Sequence, residues 1–269
     1  MSAAGRAPTV FVTGASSGLG AALAIEYARR HPGARIGLLG RRAAGLGEVG
    51  EAVRAESGGR ASALELVADV TDRAALAEAA GRFVAEAGVP DVVIANAGIS
   101  AGTITGEAAD AEVFRRIVET NLIALPETFA PFVGPMRARG SGTLVGIASV
   151  AGIRGLPGAG AYSASKAAAI AYMESLRVEM RGSGLRVVTI APGYIRTPMT
   201  AGNRYPMPFL TDADVFARRA VRAIDAGRGF VVIPWQMRIV AGLLRGLPNP
   251  VFDRLFARAP RKARVGADG

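Results

Sequence analysis

The chain has 269 residues, half apolar and a fifth charged, a globular composition large enough to bury the core of one sizeable α/β domain. It has no cysteine and a single histidine, His31, which excludes disulfides, thiolate nucleophiles, cysteine-ligated metals and histidine-based triads. The net charge is +10, but the basic residues scatter over most helical segments without interleaved aromatics, so no nucleic-acid stripe and no metal site are expected.

Taken in order, Thr9 to Gly14 (TVFVTG) is a β-branched run that predicts a first strand. The next segment, LGAALAIEYARR, puts Leu19, Leu23 and Tyr27 four apart on one helical face, and should end near His31, before Pro32 and Gly33. Arg35 to Gly40 predicts a second strand, followed by an Ala-rich helix through Ser57. Ser62 to Asp69 predicts a third strand, with Thr71 capping a helix towards Gly88. Asp91 to Gly98 predicts a fourth, followed by one long helix from about Asp110 to Met136, with Pro126 and Pro131 inside it. Gly142 to Ser149 is the fifth strand, Ala161 to Gly182 a helix, and Leu185 to Gly193 the sixth strand. After a proline-rich segment, Asp212 to Ala226 is a helix and Gly229 to Pro234 the last strand.

Runs such as VVIA and LVGIA are apolar on both faces, as strands of a covered parallel sheet must be. Alternating strand and helix predict a Rossmann-type, doubly wound α/β sheet of about seven strands with helices on both faces. No Gly/Ser-rich linker divides the chain, so residues 1–269 form a single domain with a core over about 9–234. No run reaches the roughly 18 apolar residues of a membrane span, and the start lacks a signal-peptide core, which predicts a soluble, cytoplasmic protein.

Ligands of such a sheet sit beyond the C-terminal ends of its strands. There the first turn reads TGASSGLG: Thr13, Gly14, Ser16, Ser17, Gly18, Leu19 and Gly20. Glycines at these points let the backbone approach a pyrophosphate at the start of the following helix. Beyond the second strand stand Arg41 and Arg42, where an NAD-reading fold carries an acid. Guanidinium groups suit a 2′-phosphate, so NADP(H) is expected over NAD(H).

Further elements follow in a fixed order: NAG at Asn96, Ala97 and Gly98; Asn121; Ser149; YSASK from Tyr162 to Lys166; and Pro192 with Gly193, then Ile195 and Thr197. In this set the chain resembles the classical short-chain dehydrogenase/reductase family, over roughly Thr9 to Thr197. The resemblance implies an enzyme that interconverts a carbonyl and an alcohol by hydride transfer with NAD(P). It implies that Tyr162 passes a proton to the carbonyl oxygen, Ser149 orients that carbonyl, and Lys166 holds the nicotinamide ribose and perturbs Tyr162. Asn121 helps hold a water that links Lys166 to solvent. Asp69 and Val70 fall by the adenine, Asn96 to Gly98 along the cofactor, and Pro192, Gly193, Ile195 and Thr197 beside the carboxamide. A homodimer or homotetramer is the expected assembly. One departure is Ala95, where the family often has asparagine.

The residues support the same chemistry directly. Tyr162 and Lys166 are i and i+4 on one helix, and an ammonium one turn away should lower a phenol that titrates near 10. Lysine matters here, because only two of the 32 basic residues, Lys166 and Lys262, are lysines. A non-catalytic NADPH-binding regulator on the same fold is the alternative, and the intact Tyr–Lys–Ser–Asn set argues against it. Residues 194–212 should form a lid without helical period. With Ile99 to Gly102, Ile153 to Leu156, Met199, Tyr205, Met207 and Phe209, that lid predicts an apolar site for a hydrophobic ketone, aldehyde or secondary alcohol. The basic tail, 235–269, shows two amphipathic helical patterns broken by Pro248 and Pro250. Packing on the lid or on a partner subunit is the first reading, and peripheral contact with an anionic membrane the alternative.

Overall fold

The computed structural model describes residues 6–203 and 205–264. In the first strand, β1 (Thr9–Thr13), Val10 and Val12 point into one core and Phe11 into another. The same alternation continues in β2 (Arg35–Gly40), with Ile36 and Leu38 against Leu39, and in β4 (Val92–Ala95), with Val92 and Ile94 against Val93 and Ala95. A period of two with apolar residues on both faces is what a sheet covered on both sides requires.

Seven parallel strands run in the order β3-β2-β1-β4-β5-β6-β9, adding β3 (Ser62–Val67), β5 (Gly142–Ile147), β6 (Leu185–Pro192) and β9 (Phe230–Ile233). One face is covered by α1 (Gly18–Arg30), α2 (Ala43–Glu56) and α8 (Ala213–Asp225), the other by α3 (Arg73–Ala87), α5 (Ala124–Arg139) and α6 (Gly160–Glu179). Phe11 anchors the second core, with ring centroids 5.2 Å from Phe83 and 4.8 Å from Phe132. Burying such a ring stabilises the fold by about 1.5–3 kcal/mol. The expected single domain and Rossmann-type architecture are what the chain forms.

Three local expectations are corrected. Asp72, not Thr71, caps α3: its Oδ1 accepts the N–H groups of Ala74 and Ala75 at 3.0 Å each. A carboxylate at this position satisfies two free amides at once. The single helix expected from Asp110 to Met136 is α4 (Ala108–Val118), a π-helical turn at Glu119–Ile123, and then α5. Such wide turns re-aim one side chain, here that of buried Asn121. The fourth strand stops at Ala95, leaving Asn96, Ala97 and Gly98 in a loop.

The lid segment contains a two-stranded pair, β7 (Ile195–Arg196) with β8 (Thr211–Asp212), and the one-turn helix α7 (Pro198–Ala201), although no helical period is visible there in the sequence. Thr197 and Thr200 form a reciprocal capping box that ends the search for partners of α7's first amides. After β9 come α9 (Trp235–Gly246) and α10 (Asn249–Phe256).

Candidate active site

The order of the sheet makes the crevice. The chain leaves β1 towards β2 and leaves β4 towards β5, so the loops after these two neighbours diverge. The cleft between them encloses about 400 Å³.

Its floor is the glycine turn. Gly14 and Gly18 are left-handed, at φ +66° and +59°. A Cβ on Gly20 would overlap the Gly14 carbonyl, so the close approach of turn and helix tolerates no side chain there. Asn96 fastens this turn to the end of β4. Its Nδ2 donates to the carbonyl oxygens of Thr13 at 2.9 Å and Gly14 at 3.3 Å, and Thr13 Oγ1 accepts from the N–H groups of Asn96 and Ala97 at 3.1 Å each. Thr13 and Gly20 therefore shape the turn from behind the cleft wall. Ser17 stands at the N-cap of α1 without a side-chain capping bond, so it does not occupy the first amides of that helix.

Beyond the turn lie the two arginines. Arg42 Nη2 donates to Ser17 Oγ at 2.7 Å and to the Ser16 carbonyl at 3.2 Å. Arg41 Nη1 lies 3.4 Å from Asp69 Oδ2, while Asp69 Oδ1 accepts from the Thr71 amide at 3.0 Å and hydroxyl at 2.9 Å. Burial works to raise the Asp69 carboxyl, but the Thr71 bonds together with Arg41 outweigh it and hold the group below its ordinary range. Asp69 is thus a charged tether for Arg41. Val70 lines the cleft beside it. A glycine-rich turn, an uncapped helix start, two serines and two guanidinium groups around one cleft fit a dinucleotide phosphate carrier.

The chemical end lies beyond β5 and α6. β5 ends at Ile147, so Ser149 is not its last residue. It caps a 3₁₀ turn at Val150–Gly152 instead, with Oγ accepting from the Ala151 amide at 3.2 Å. Ser149 and Tyr162 line the same cleft. Here the sign of a predicted shift is reversed. The spacing predicts a phenol lowered by Lys166; burial of Tyr162 instead raises it, and the neighbouring Ser149 hydroxyl offsets only part of that rise. The ammonium is engaged elsewhere: Lys166 Nζ donates to the Ile147 carbonyl at 2.7 Å, and burial pushes its pKa down to about 8.

Asn121 does not line the cleft. Its Oδ1 accepts from the Ile99 amide at 2.8 Å, and its Nδ2 donates to the Ile99 carbonyl at 3.0 Å and to Ser165 Oγ at 3.1 Å. It braces the loop after β4 against α6. Gly98, Pro192, Gly193, Ile195 and Thr197 do line the cleft, and so do Thr120, Ala148, Pro198 and Thr200, which the motifs did not single out. Thr120 and Ala148 sit beside motif residues, and that adjacency was the available signal.

Residues 8–207 match the short chain dehydrogenase family profile. The chain belongs to the short-chain dehydrogenase/reductase family. An uncharacterized oxidoreductase of Myxococcus xanthus (strain DK1622) is 42% identical over 251 residues, 93% of this chain and 96% of that protein. A short-chain dehydrogenase from Sphingobium yanoikuyae in complex with NADPH superposes with a TM-score of 0.74 at 30% identity, covering 90% of this chain and 97% of its own. A 3-oxoacyl-acyl-carrier-protein reductase from Brucella melitensis with bound NAD does so at 0.73 and 28%, covering 85% and 90%. The chain is therefore an oxidoreductase of a family that binds NAD(P).

The expected substrate wall of this short-chain dehydrogenase is only partly apolar lid. Ile99 and Met199 line the cleft. Ile153 packs instead among Ala148, Ala191, Val232 and Met237, Tyr205 stacks edgewise on Tyr194 at 6.3 Å, and Phe209 is 48% exposed. The end of the tail reaches the same loops through polar contacts. Lys262 Nζ donates to the Met199 carbonyl at 3.3 Å, the Gly102 amide donates to the Ala263 carbonyl at 2.8 Å, and Arg264 pairs with Asp110 and Glu107. The last described residues thus cross between the loop after β4 and the lid.

Proposed function

We propose that this short-chain dehydrogenase is an NADP(H)-dependent carbonyl reductase or alcohol dehydrogenase for a hydrophobic ketone, aldehyde or secondary alcohol, with Tyr162 as general acid/base. The supporting observation is the division of one cleft. Arg41, Arg42, Ser16 and Ser17 stand beyond β1 and β2, and Ser149, Tyr162 and Lys166 stand beyond β5. Three strand spacings separate β2 from β5, about 14 Å, which suits a dinucleotide extended across the sheet.

In this reading Gly14, Gly18 and the start of α1 hold the pyrophosphate, Arg41 and Arg42 the 2′-phosphate, and Pro192, Gly193, Ile195 and Thr197 the carboxamide side. When bound, the cofactor supplies or accepts the hydride. The protein's own part is the proton. Tyr162, raised by burial, keeps its phenolic proton at neutral pH and delivers it to a carbonyl oxygen that Ser149 also hydrogen-bonds. Lys166, titrating near 8, stays mostly charged at neutral pH and stabilises negative charge developing beside Tyr162. Asn121 is a positioning residue, acting through Ile99 and Ser165.

The test is loss of NADPH absorbance with a panel of hydrophobic ketones and aldehydes. Tyr162→Phe should lower kcat at least about 100-fold while NADPH still binds. NADPH binding without reduction of any carbonyl would overturn the catalytic reading in favour of a cofactor-sensing regulator.

A further inference from the structure

Both tail helices use one face against the core and leave the other uncovered. Met237 and Ala241 of α9 and Phe252 of α10 are buried. The outer face of α9 carries Trp235, Ile239 and Leu243 at i, i+4 and i+8, exposed by 63%, 54% and 68%, and α10 adds exposed Val251 and Leu255. A contiguous exposed apolar stripe on a folded protein marks an interaction surface.

The surrounding charge selects the partner. Arg238, Arg245, Arg254 and Arg258 flank these stripes, and none has an ion-pair partner among the described residues. Between Trp235 and Arg264 the single acid is Asp253. A two-fold contact between copies of this face would set the same arginines of both copies against one another. An anionic surface neutralises them instead. Neither helix is long and apolar enough to cross a bilayer, so the geometry that remains is a helix lying in the interface plane.

We propose that this face docks on anionic phospholipid membrane. α9 lies along the surface with Trp235, Ile239 and Leu243 in the headgroup–acyl boundary, and the four arginines meet the lipid phosphates. The inner side of the same helix backs the cleft: a Cβ on Gly193 would come within 2.7 Å of Met237 Cγ. A lipid-dissolved carbonyl would therefore meet the cleft one helix away from the bilayer. That last link rests on the proposed reaction, whereas docking itself requires no turnover.

Trp235 is the only tryptophan of the chain, so its emission reports on this face alone. The full chain is mixed with phosphatidylcholine–phosphatidylserine vesicles and, separately, with phosphatidylcholine vesicles. With the mixed vesicles, Trp235 emission should shift to the blue and the protein should co-sediment. Binding should be at least about tenfold weaker on phosphatidylcholine alone or in high salt. Ile239→Asp/Leu243→Asp should lose both signals with an unchanged thermal melt. Should that variant misfold, Arg238→Ala/Arg245→Ala gives the same decision through a loss of at least about tenfold on the mixed vesicles. An unshifted Trp235 and protein left in the supernatant overturn the proposal. A blue shift that grows with protein concentration in the absence of lipid also overturns it, assigning the face to a second copy.

Discussion

Arg264 Nε donates to Asp110 Oδ2 at 2.8 Å, tying the last described residue to the first turn of α4. The same carboxylate oxygen accepts from the Ile104 amide at 2.8 Å, and Arg264 Nη2 reaches Glu107 at 3.1 Å. One arginine so closes the loop after β4 under the tail. The Arg264 bond, joined by that of Ile104, holds the Asp110 carboxyl below its ordinary range.

A depressed carboxyl contributes stability above its unfolded pKa and loses it as the pH falls through the folded value. Arg264→Met should therefore melt below the wild type at neutral pH, and the gap should shrink below about pH 4, where the carboxyl protonates. A gap unchanged down to acid pH would place the effect in packing.

Arg154, in the segment after β5, clasps the tail from the other side. Its Nη1 donates to the carbonyl oxygens of Leu244, Arg245 and Leu247 at 2.9, 3.1 and 2.8 Å, satisfying the open end of α9. Its Nη2 donates to Asn249 Oδ1 at 3.0 Å, and its Cζ lies 4.1 Å from the Phe252 ring centroid. Arg154→Ala should release α9 and α10 by about 2 kcal/mol, or roughly 30-fold faster amide exchange across both helices, with the central strands unaffected. Equal acceleration in β4 and β5 would show a global loss instead.

Lys166 carries a pH signature of the same sign as that of Asp110, in a more alkaline window. Its folded pKa, about 8, lies below the unfolded value near 10.4, so the unfolded chain binds more protons between the two. Stability relative to Lys166→Met should rise with pH over that window, by up to about 3 kcal/mol. Chemical denaturation of both proteins from pH 7 to 10 measures it, and a flat difference would mean the ammonium is better solvated than its burial implies.

The proposed preference for NADP(H) rests on Arg41 and Arg42. Arg41→Ala/Arg42→Ala should weaken NADPH roughly 10–100-fold while leaving NADH nearly unchanged, since charge-assisted bonds of that strength have no counterpart on an unphosphorylated ribose. Titration of both cofactors into the apoprotein decides it. Equal loss for the two would refute the NADP preference.

Much of the site is legible from short-range pattern. The glycine turn is visible because Gly14 and Gly18 need a left-handed backbone, a property of single residues. Tyr162 and Lys166 are visible as i and i+4 on a helix. The break in the Asp110 to Met136 helix was hidden, because a π-turn costs no residue type that marks it. Its reason is remote: Asn121 turns inward to clamp Ile99, 22 residues away.

By itself, then, the sequence determined the alternation of strands and helices, the crevice beyond β1 and β4, and the Ser149, Tyr162 and Lys166 set. These follow from periodicity and backbone conformation, which act over a few residues. Tertiary structure decided the rest. It reversed the sign of the Tyr162 shift, because desolvation depends on what packs around a group. It also laid the tail across the loops of the site, through Arg154 with partners 90 to 95 residues away and Arg264 with one 154 away. Contacts at that range leave no local mark, since each partner alone is an ordinary arginine or carbonyl until packing brings them together.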